Sequence, residues 1–376
     1  MAGKTDFEIE KVILRRVSIP MHEPFRIANG EVSNKESVII EIYSKESIGY
    51  GEASPMPGSF YSADTPDSVW NVLKSDLVPD LLSRTIQSPV DYAKSLETYK
   101  QAPFARAGME GAMWHHEANR LKTSITQLFG VKPEPIASGA AIGLYDTVEE
   151  LMERVHQYHN EGYQRIKIKI KPGWDIEPLA AIRNKFPNLH LMVDANASYI
   201  YEEHRKILLA LDRFKLLMIE QPLAAEELGR SAELQSEITT PICMDESAET
   251  MLDLLEIIQR GAAKIVNIKV QRVGGLWNAK QMHDQAHQAG LDCWVGTMPE
   301  LGIASAQALS IANLPGFTYP TDIEASDRWY KDDIITPKIT IDPSGFIHVP
   351  KTTGMGYEVD TQKLEQYTTS IETFVR

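Results

Sequence analysis

Five ionisable residues recur at nearly constant intervals in the second half of the chain. Lys169, Asp194, Glu220, Asp245 and Lys269 follow one another at steps of 25, 26, 25 and 24 residues, each closing a short apolar run. Such a step accommodates one strand, one helix and two turns, because parallel strands need a crossover of a dozen or more residues between them. The strand candidates are 137–144, 164–170, 189–195, 216–221, 241–246, 264–269, 291–298 and 317–323, with amphipathic stretches such as 201–214, 250–260 and 277–288 between them. Asp146 with Glu149, or Thr147 with Glu150, offers a capping box for the first helix. This alternation predicts an α/β fold, a (β/α)8-type barrel of (β/α)7β order over residues 133–325. A doubly wound open sheet would compete, but no glycine-rich phosphate turn follows the first strand.

The flanking regions have another texture. Stretches 7–20 and 37–43 alternate apolar and polar residues like half-buried strands, 48–53 extends the sheet, and a turn-rich stretch, 25–34, separates the first two. Thr65-Pro66-Asp67 signals a helix start, and helical periodicity returns through 105–128. Residues 1–132 therefore read as a separate α+β module. The polar tail, 326–376, turns at Asp342-Pro343-Ser344-Gly345 and is expected to return to that module.

In a barrel, the C-terminal strand ends converge on one mouth. Any one acid there reads as a solvated charge, but three carboxylates at constant spacing would repel one another unless neutralised. An oxygen-only set without a His or Cys cluster points to a hard cation, Mg²⁺ with Mn²⁺ as a substitute, held by Asp194, Glu220 and Asp245. Lys167 and Lys169 share a face of their strand. Two ammonium groups side by side disfavour double protonation, so one is expected to shed its proton and act as a base. Lys269 comes from the opposite side, giving a bound substrate an amine on each face of its α-carbon. Removing a proton beside a carboxylate concentrates negative charge, which a metal and a cationic lysine stabilise where it forms.

The net charge of −14 excludes nucleic acid and anionic membranes as partners and leaves a small carboxylate, drawn in by local positive charge. The charged N-terminus, MAGKTDFEIEKV, lacks a secretory core, and Cys243 and Cys293 sit in apolar runs, so the expectation is a cytoplasmic protein with inert thiols. Self-association into a homo-oligomer is left open.

The strand ends Lys167-Ile-Lys169, Val193-Asp194-Ala195-Asn196, Ile219-Glu220-Gln221-Pro222, Met244-Asp245-Glu246-Ser247 and Asn267-Ile268-Lys269 resemble the muconate-lactonizing-enzyme subgroup of the enolase superfamily. Within it, Arg165–Asp175 and Lys269-Val-Gln-Arg272 are most similar to o-succinylbenzoate synthases and N-acyl- or N-succinylamino acid racemases. The resemblance implies an N-terminal capping domain completed by the tail. It also implies Lys169 as base, Lys269 as second acid/base or electrostatic lysine, and Lys167 tuning Lys169. Asn196, Glu246, Arg272, Glu300, Met298 and Phe25 would support the site or contact substrate. The loops 25–29 and 56–61, with Phe60 and Tyr61, would close over the mouth. After the seventh strand, Gly296-Thr-Met-Pro-Glu300-Leu301-Gly302 departs from the subgroup's Glu-Ser/Thr-Gly followed by Arg and His.

Rival readings remain. Dipeptide epimerases carry Asp-x-Asp at the eighth strand, where this chain has Asp322-Ile-Glu324. Muconate cycloisomerases share all five chemical residues. A Schiff-base aldolase would leave three carboxylates unexplained, a zinc hydrolase would need a His pair on the first strand, and a non-catalytic barrel would not need all five residues.

Overall fold

The computed structural model describes residues 6–27, 30–57 and 62–376, apart from the side chains of 25–31. The Phe25 side chain and residues Phe60 and Tyr61, expected over the mouth, lie outside the described residues. Alternating apolar residues build β1 (Lys11–Ile27) and β2 (Gly30–Tyr43), joined in an antiparallel pair and extended by β3 (Ile48–Ala53). The stretch expected to be turn-rich, 25–34, is instead the end of this hairpin: Phe25 pairs with Val32 and Ile27 with Gly30. The register slips between Pro20 and Phe25, next to a proline that cannot donate to the ladder.

Helix α1 (Pro66–Val72) starts at Thr65, which exchanges capping bonds with Ser68. A π-helical turn leads into α2 (Val78–Ser83), followed by α3 (Pro89–Leu96). The expected helix over 105–128 is two helices, α4 (Pro103–Arg120) and α5 (Ile125–Leu128), separated where Lys122 takes a φ of 53° and Ser124 caps the second.

The barrel follows in chain order: β4 (Ile136–Ala137), β5 (Gly139–Ile142), α6 (Val148–Asn160), β6 (Arg165–Lys169), α7 (Ile176–Lys185), β7 (Leu191–Asp194) and α8 (Tyr201–Leu211). Next come β8 (Ile219–Glu220), α9 (Leu228–Glu237), β9 (Ile242–Met244), α10 (Met251–Arg260), β10 (Ile265–Lys269), α11 (Val270–Val273), α12 (Leu276–Gln288) and β11 (Asp292–Gly296). Thr147 and Glu150 form the capping box of α6. Among the described residues, seven parallel strands form one curled sheet in the order β11-β10-β9-β8-β7-β6-β5. The expected eighth strand, 317–323, is reduced to bridges at Phe317 and Thr321. Pro320 cannot donate to a ladder there. The segment still bonds both edges, Asp322 N to Val295 O (3.2 Å) and Gly139 N to Thr321 O (2.8 Å), and so closes the barrel.

After α13 (Gly302–Leu309) and α14 (Ser326–Trp329), the tail forms β12 (Ile335–Thr336), β13 (Phe346–Ile347), β14 (Glu358–Val359), α15 (Thr361–Tyr367) and β15 (Thr368–Val375). Strand β13 pairs with β4, and β15 pairs antiparallel with β1. The end of the chain thus joins the N-terminal sheet, whose order is β15-β1-β2-β3.

Period-two alternation sorts the barrel strands. Ile166, Ile168, Val193, Ile219, Ile242, Val266 and Ile268 join the main hydrophobic core. Met192, Met218, Cys243, Ile265 and Trp294 form a separate buried cluster. Both cysteines are buried and free. Among the described residues, no helix is long and apolar enough to cross a membrane.

Candidate active site

Beyond that apolar cluster, charged residues follow on the same parity: Asp194, Glu220 and Asp245 two positions after Met192, Met218 and Cys243, and Lys269 four after Ile265. Lys167, Lys169, Asp194, Glu220, Asp245 and Lys269 come together at the strand ends, none more than 8% exposed. Lys169 Nζ donates to Asp194 Oδ2 (2.6 Å) and Asn196 Oδ1 (2.8 Å), and Asn196 donates to Glu246 (2.9 Å). Lys269 Nζ donates to Asp245 Oδ2 (2.8 Å), whose other oxygen takes Arg272. Lys167 bonds Glu220 (3.2 Å) and Asp322, and Asn267 donates to the other oxygen of Glu220 (2.7 Å).

Burial divides these groups by their partners. It would raise Asp245, but Arg272 and Lys269 outweigh it and hold this carboxyl well below its usual range. Asp194 is likewise held low against burial by Lys169 and Lys167. Glu220 is pushed up to about 8 by burial and then by the charge of Asp194, which Lys167 only partly offsets. Burial and the charges of Asp245 and Asp194 also raise Glu246. Mutual depression of the two neighbouring lysines is not what Lys167 experiences. Burial pulls it down, yet Asp322, Glu220 and Asp194 hold it well above its ordinary value. Lys167 is a fixed cation.

Among the described residues, no three His, Cys, Asp or Glu side chains converge closely enough to hold an ion. Instead, Asp194, Glu220 and Asp245 each turn an oxygen to a lysine. The donor set nevertheless suits a hard divalent cation: Asp194 and Glu220 end two neighbouring strands in register, Asp245 directly follows the next, and all offer oxygen. The nearby sulfur, Cys243 Sγ, accepts from the Trp294 indole (3.3 Å).

A cavity that opens to solvent lies beside the cluster. Lys167, Lys169 and Lys269 line it, together with the apolar side chains of Met56, Met298, Pro299 and Trp329. Glu300 faces an adjoining small cavity; burial and Glu52 push its carboxyl up to about 8. Lys171 is exposed beyond the end of β6, outside the charged cluster.

Several site residues were not singled out from sequence. Arg165, which shares the parity of Lys167 and Lys169, is buried, bonds Asp322 (2.7 Å) and lies over the Trp294 ring. Gly139 makes room for it, since a Cβ there would fall 2.5 Å from the guanidinium carbon. Asn267, two residues before Lys269, was marked by the same parity, and it reaches Glu220 over Gly296, where a Cβ would meet its Oδ1 at 1.9 Å. Gln221 accepts from the backbone of Asp245 (3.0 Å) and Ser247 (3.1 Å), fixing one strand end from its neighbour. Asn196, Ala197 and Gln221 adopt φ of 41°, 59° and 35° just past Asp194 and Glu220. Such backbone costs roughly 1–3 kcal/mol per residue and clusters at functional sites. Apart from asparagine's tolerance of that region, the sequence carries no signal for it.

Comparison with known proteins agrees with this architecture. Residues 9–130 match the mandelate racemase / muconate lactonizing enzyme N-terminal domain, and residues 150–363 match the enolase C-terminal domain-like family. The chain is 38% identical over 369 residues to an o-succinylbenzoate synthase of Geobacillus kaustophilus, covering 98% of each protein. It is 36% identical over 364 residues to an N-succinylamino acid racemase of Amycolatopsis, covering 96% of this chain and 98% of that protein. The crystal structure of an enolase-superfamily member from Listeria innocua superposes with a TM-score of 0.93 at 34% identity, covering 98% of this chain and 99% of that one. The chain belongs to the enolase superfamily, in its mandelate racemase / muconate lactonizing enzyme branch, as an enzyme related to o-succinylbenzoate synthases and N-succinylamino acid racemases.

Proposed function

We propose that this enzyme removes the α-proton of a small carboxylate with the help of Mg²⁺ or Mn²⁺, forming an enediolate. The outcome is o-succinylbenzoate synthesis by dehydration, N-acyl- or N-succinylamino acid racemisation, or both. The observation that carries this reading is that Lys169 and Lys269, from β6 and β10, line one cavity while three buried carboxylates stand at or just past the ends of the strands between them. Superfamily members typically use a divalent metal. Asp194, Glu220 and Asp245 would hold it, and the chemistry it supplies is neutralisation of the charge that develops on the substrate carboxylate.

The protein's own groups do the proton work. Lys169 takes the proton from one face of the α-carbon and Lys269 serves the other, so racemisation uses both. Lys167, fixed as a cation by Asp322, adds positive charge close to the developing anion. Asp322 is engaged by Arg165 and Lys167, and Glu324 by Arg328 and the Ala141 N–H. A dipeptide's ammonium group therefore meets carboxylates already committed to internal cations, which favours N-acylated substrates.

The test is a screen of purified protein with Mg²⁺ or Mn²⁺ against the o-succinylbenzoate precursor, N-succinyl- and N-acetylamino acids, and dipeptides. Turnover of the precursor or of N-acyl substrates, lost on chelation and restored by metal, is expected. Turnover of dipeptides alone, or full activity after chelation, contradicts the reading.

A further inference from the structure

The base on β10 stands two residues from a joint between the N-terminal sheet and the barrel. Gln271, 2% exposed, is the second residue of α11, the short helix that follows Lys269. Both halves of its amide are used on backbone of the other layer: Oε1 accepts from Ser54 N (3.0 Å) and Nε2 donates to Glu52 O (2.9 Å). The side chain thus imitates a strand partner for the residues that continue from β3.

The same short segment is fixed elsewhere. Lys35 Nζ, fully buried, donates to Ser54 O (3.1 Å) and Pro55 O (2.9 Å). The Glu52 carboxylate accepts from Leu301 N (3.0 Å) and Ala304 N (2.9 Å), just past Met298 and Pro299 of the cavity. Residue 56, next along, is the Met56 of the cavity lining. That part of the lining and Lys269 are therefore tied through one side chain. Lys169 has no share in this joint; it lies on β6, where Asp194 and Asn196 hold it.

We propose that Gln271 is a positioning residue that sets Lys269, and not Lys169, against the substrate's α-carbon by clipping the end of β10 to the backbone of Glu52 and Ser54. The proposal rests on the two-lysine reading above. A displacement on the order of 1 Å costs about a hundredfold in rate when reacting groups are misaligned. Partial slackening of one strand end should therefore cost the Lys269 face about tenfold.

The experiment is α-proton exchange of the separate enantiomers of N-succinylphenylalanine in D₂O with Mg²⁺, followed by proton NMR. Wild type, Gln271→Met, Lys169→Ala and Lys269→Ala are compared. In Gln271→Met, exchange of the enantiomer that depends on Lys269 should fall about tenfold relative to the other. A purely structural role would slow both enantiomers alike, and that result, or an unchanged ratio, overturns the proposal. Gln271→Glu keeps the acceptor for Ser54 and carries the same ratio test, with a smaller expected shift, if Gln271→Met does not fold. If the two lysine variants fail to show opposite preferences, the two-lysine reading itself falls. If they do, and the Gln271 ratio is unchanged, only the clip falls.

Discussion

The two levels of the barrel interior are made from the same strands and differ in almost every other respect. Met192, Met218 and Cys243 stand two residues before Asp194, Glu220 and Asp245, and Ile265 stands four before Lys269. The lower level buries apolar side chains at roughly 1.5–3 kcal/mol each relative to exposure. The upper level buries charges that stabilise only through their partners, and well-packed apolar residues would often serve a fold equally well. A chain selected for stability alone has no reason to place six ionisable groups there. The contrast supports the proposal that function lies at the strand ends, with stability coming from the layer below.

Substitutions at the two levels should separate these contributions. The largest effect is expected from Lys169→Ala and Lys269→Ala, each lowering kcat for the preferred substrate by about 10²–10⁴-fold, the range for a positioned acid or base. Thermal melts that stay near wild type would show the loss to be chemical. Glu220→Gln should weaken Mg²⁺ binding, read by titration calorimetry, by about a hundredfold or more, since even groups behind metal ligands cost 10–100-fold. In the lower level, Met218→Ala should cost about 2–5 kcal/mol in denaturant unfolding while sparing kcat in the molecules that remain folded.

A smaller effect concerns a buried acid away from both levels. Glu110 accepts from the Trp114 indole (2.8 Å) and Trp277 N (2.7 Å), and burial pushes it up to about 7 against those bonds. The native state then binds the proton more tightly than the unfolded chain. This group's contribution is therefore fully present below its ordinary value of 4.5 and is lost as pH rises through about 7. Glu110→Gln should flatten the decline in stability between those values, by on the order of 3 kcal/mol at most.

Much of the upper level was legible in the sequence because it is periodic. Five charges at one-unit spacing, and two lysines at alternate positions, are set by strand geometry. Parity also marked Arg165 and Asn267, though neither stood out without the neighbouring strands to show what they meet. Asp322 drew notice in the sequence only as part of Asp322-Ile-Glu324, where dipeptide epimerases carry Asp-x-Asp. Its pairing with Arg165 and Lys167 depends on barrel closure, which brings residues more than 150 positions apart into contact. The Gln271 and Gln221 bonds lie further from sequence reasoning, since a glutamine gives no sign of which backbone it will meet. The hairpin end was misread because 25–34 has turn-forming residues, yet pairing continues to Ile27 and Gly30. The eighth strand was overextended because Pro320 breaks a run that otherwise reads as β.

The central claim is that two lysines from β6 and β10, lining one cavity, serve opposite faces of an α-carbon. Its most direct test follows both enantiomers of an N-succinylamino acid in D₂O with wild type, Lys169→Ala and Lys269→Ala, under saturating Mg²⁺. The wild type should exchange the α-proton of both and racemise them. Each variant should lose racemisation and retain only slow exchange of one enantiomer, with opposite preference in the two. Racemisation by either variant at near wild-type rate would contradict the account.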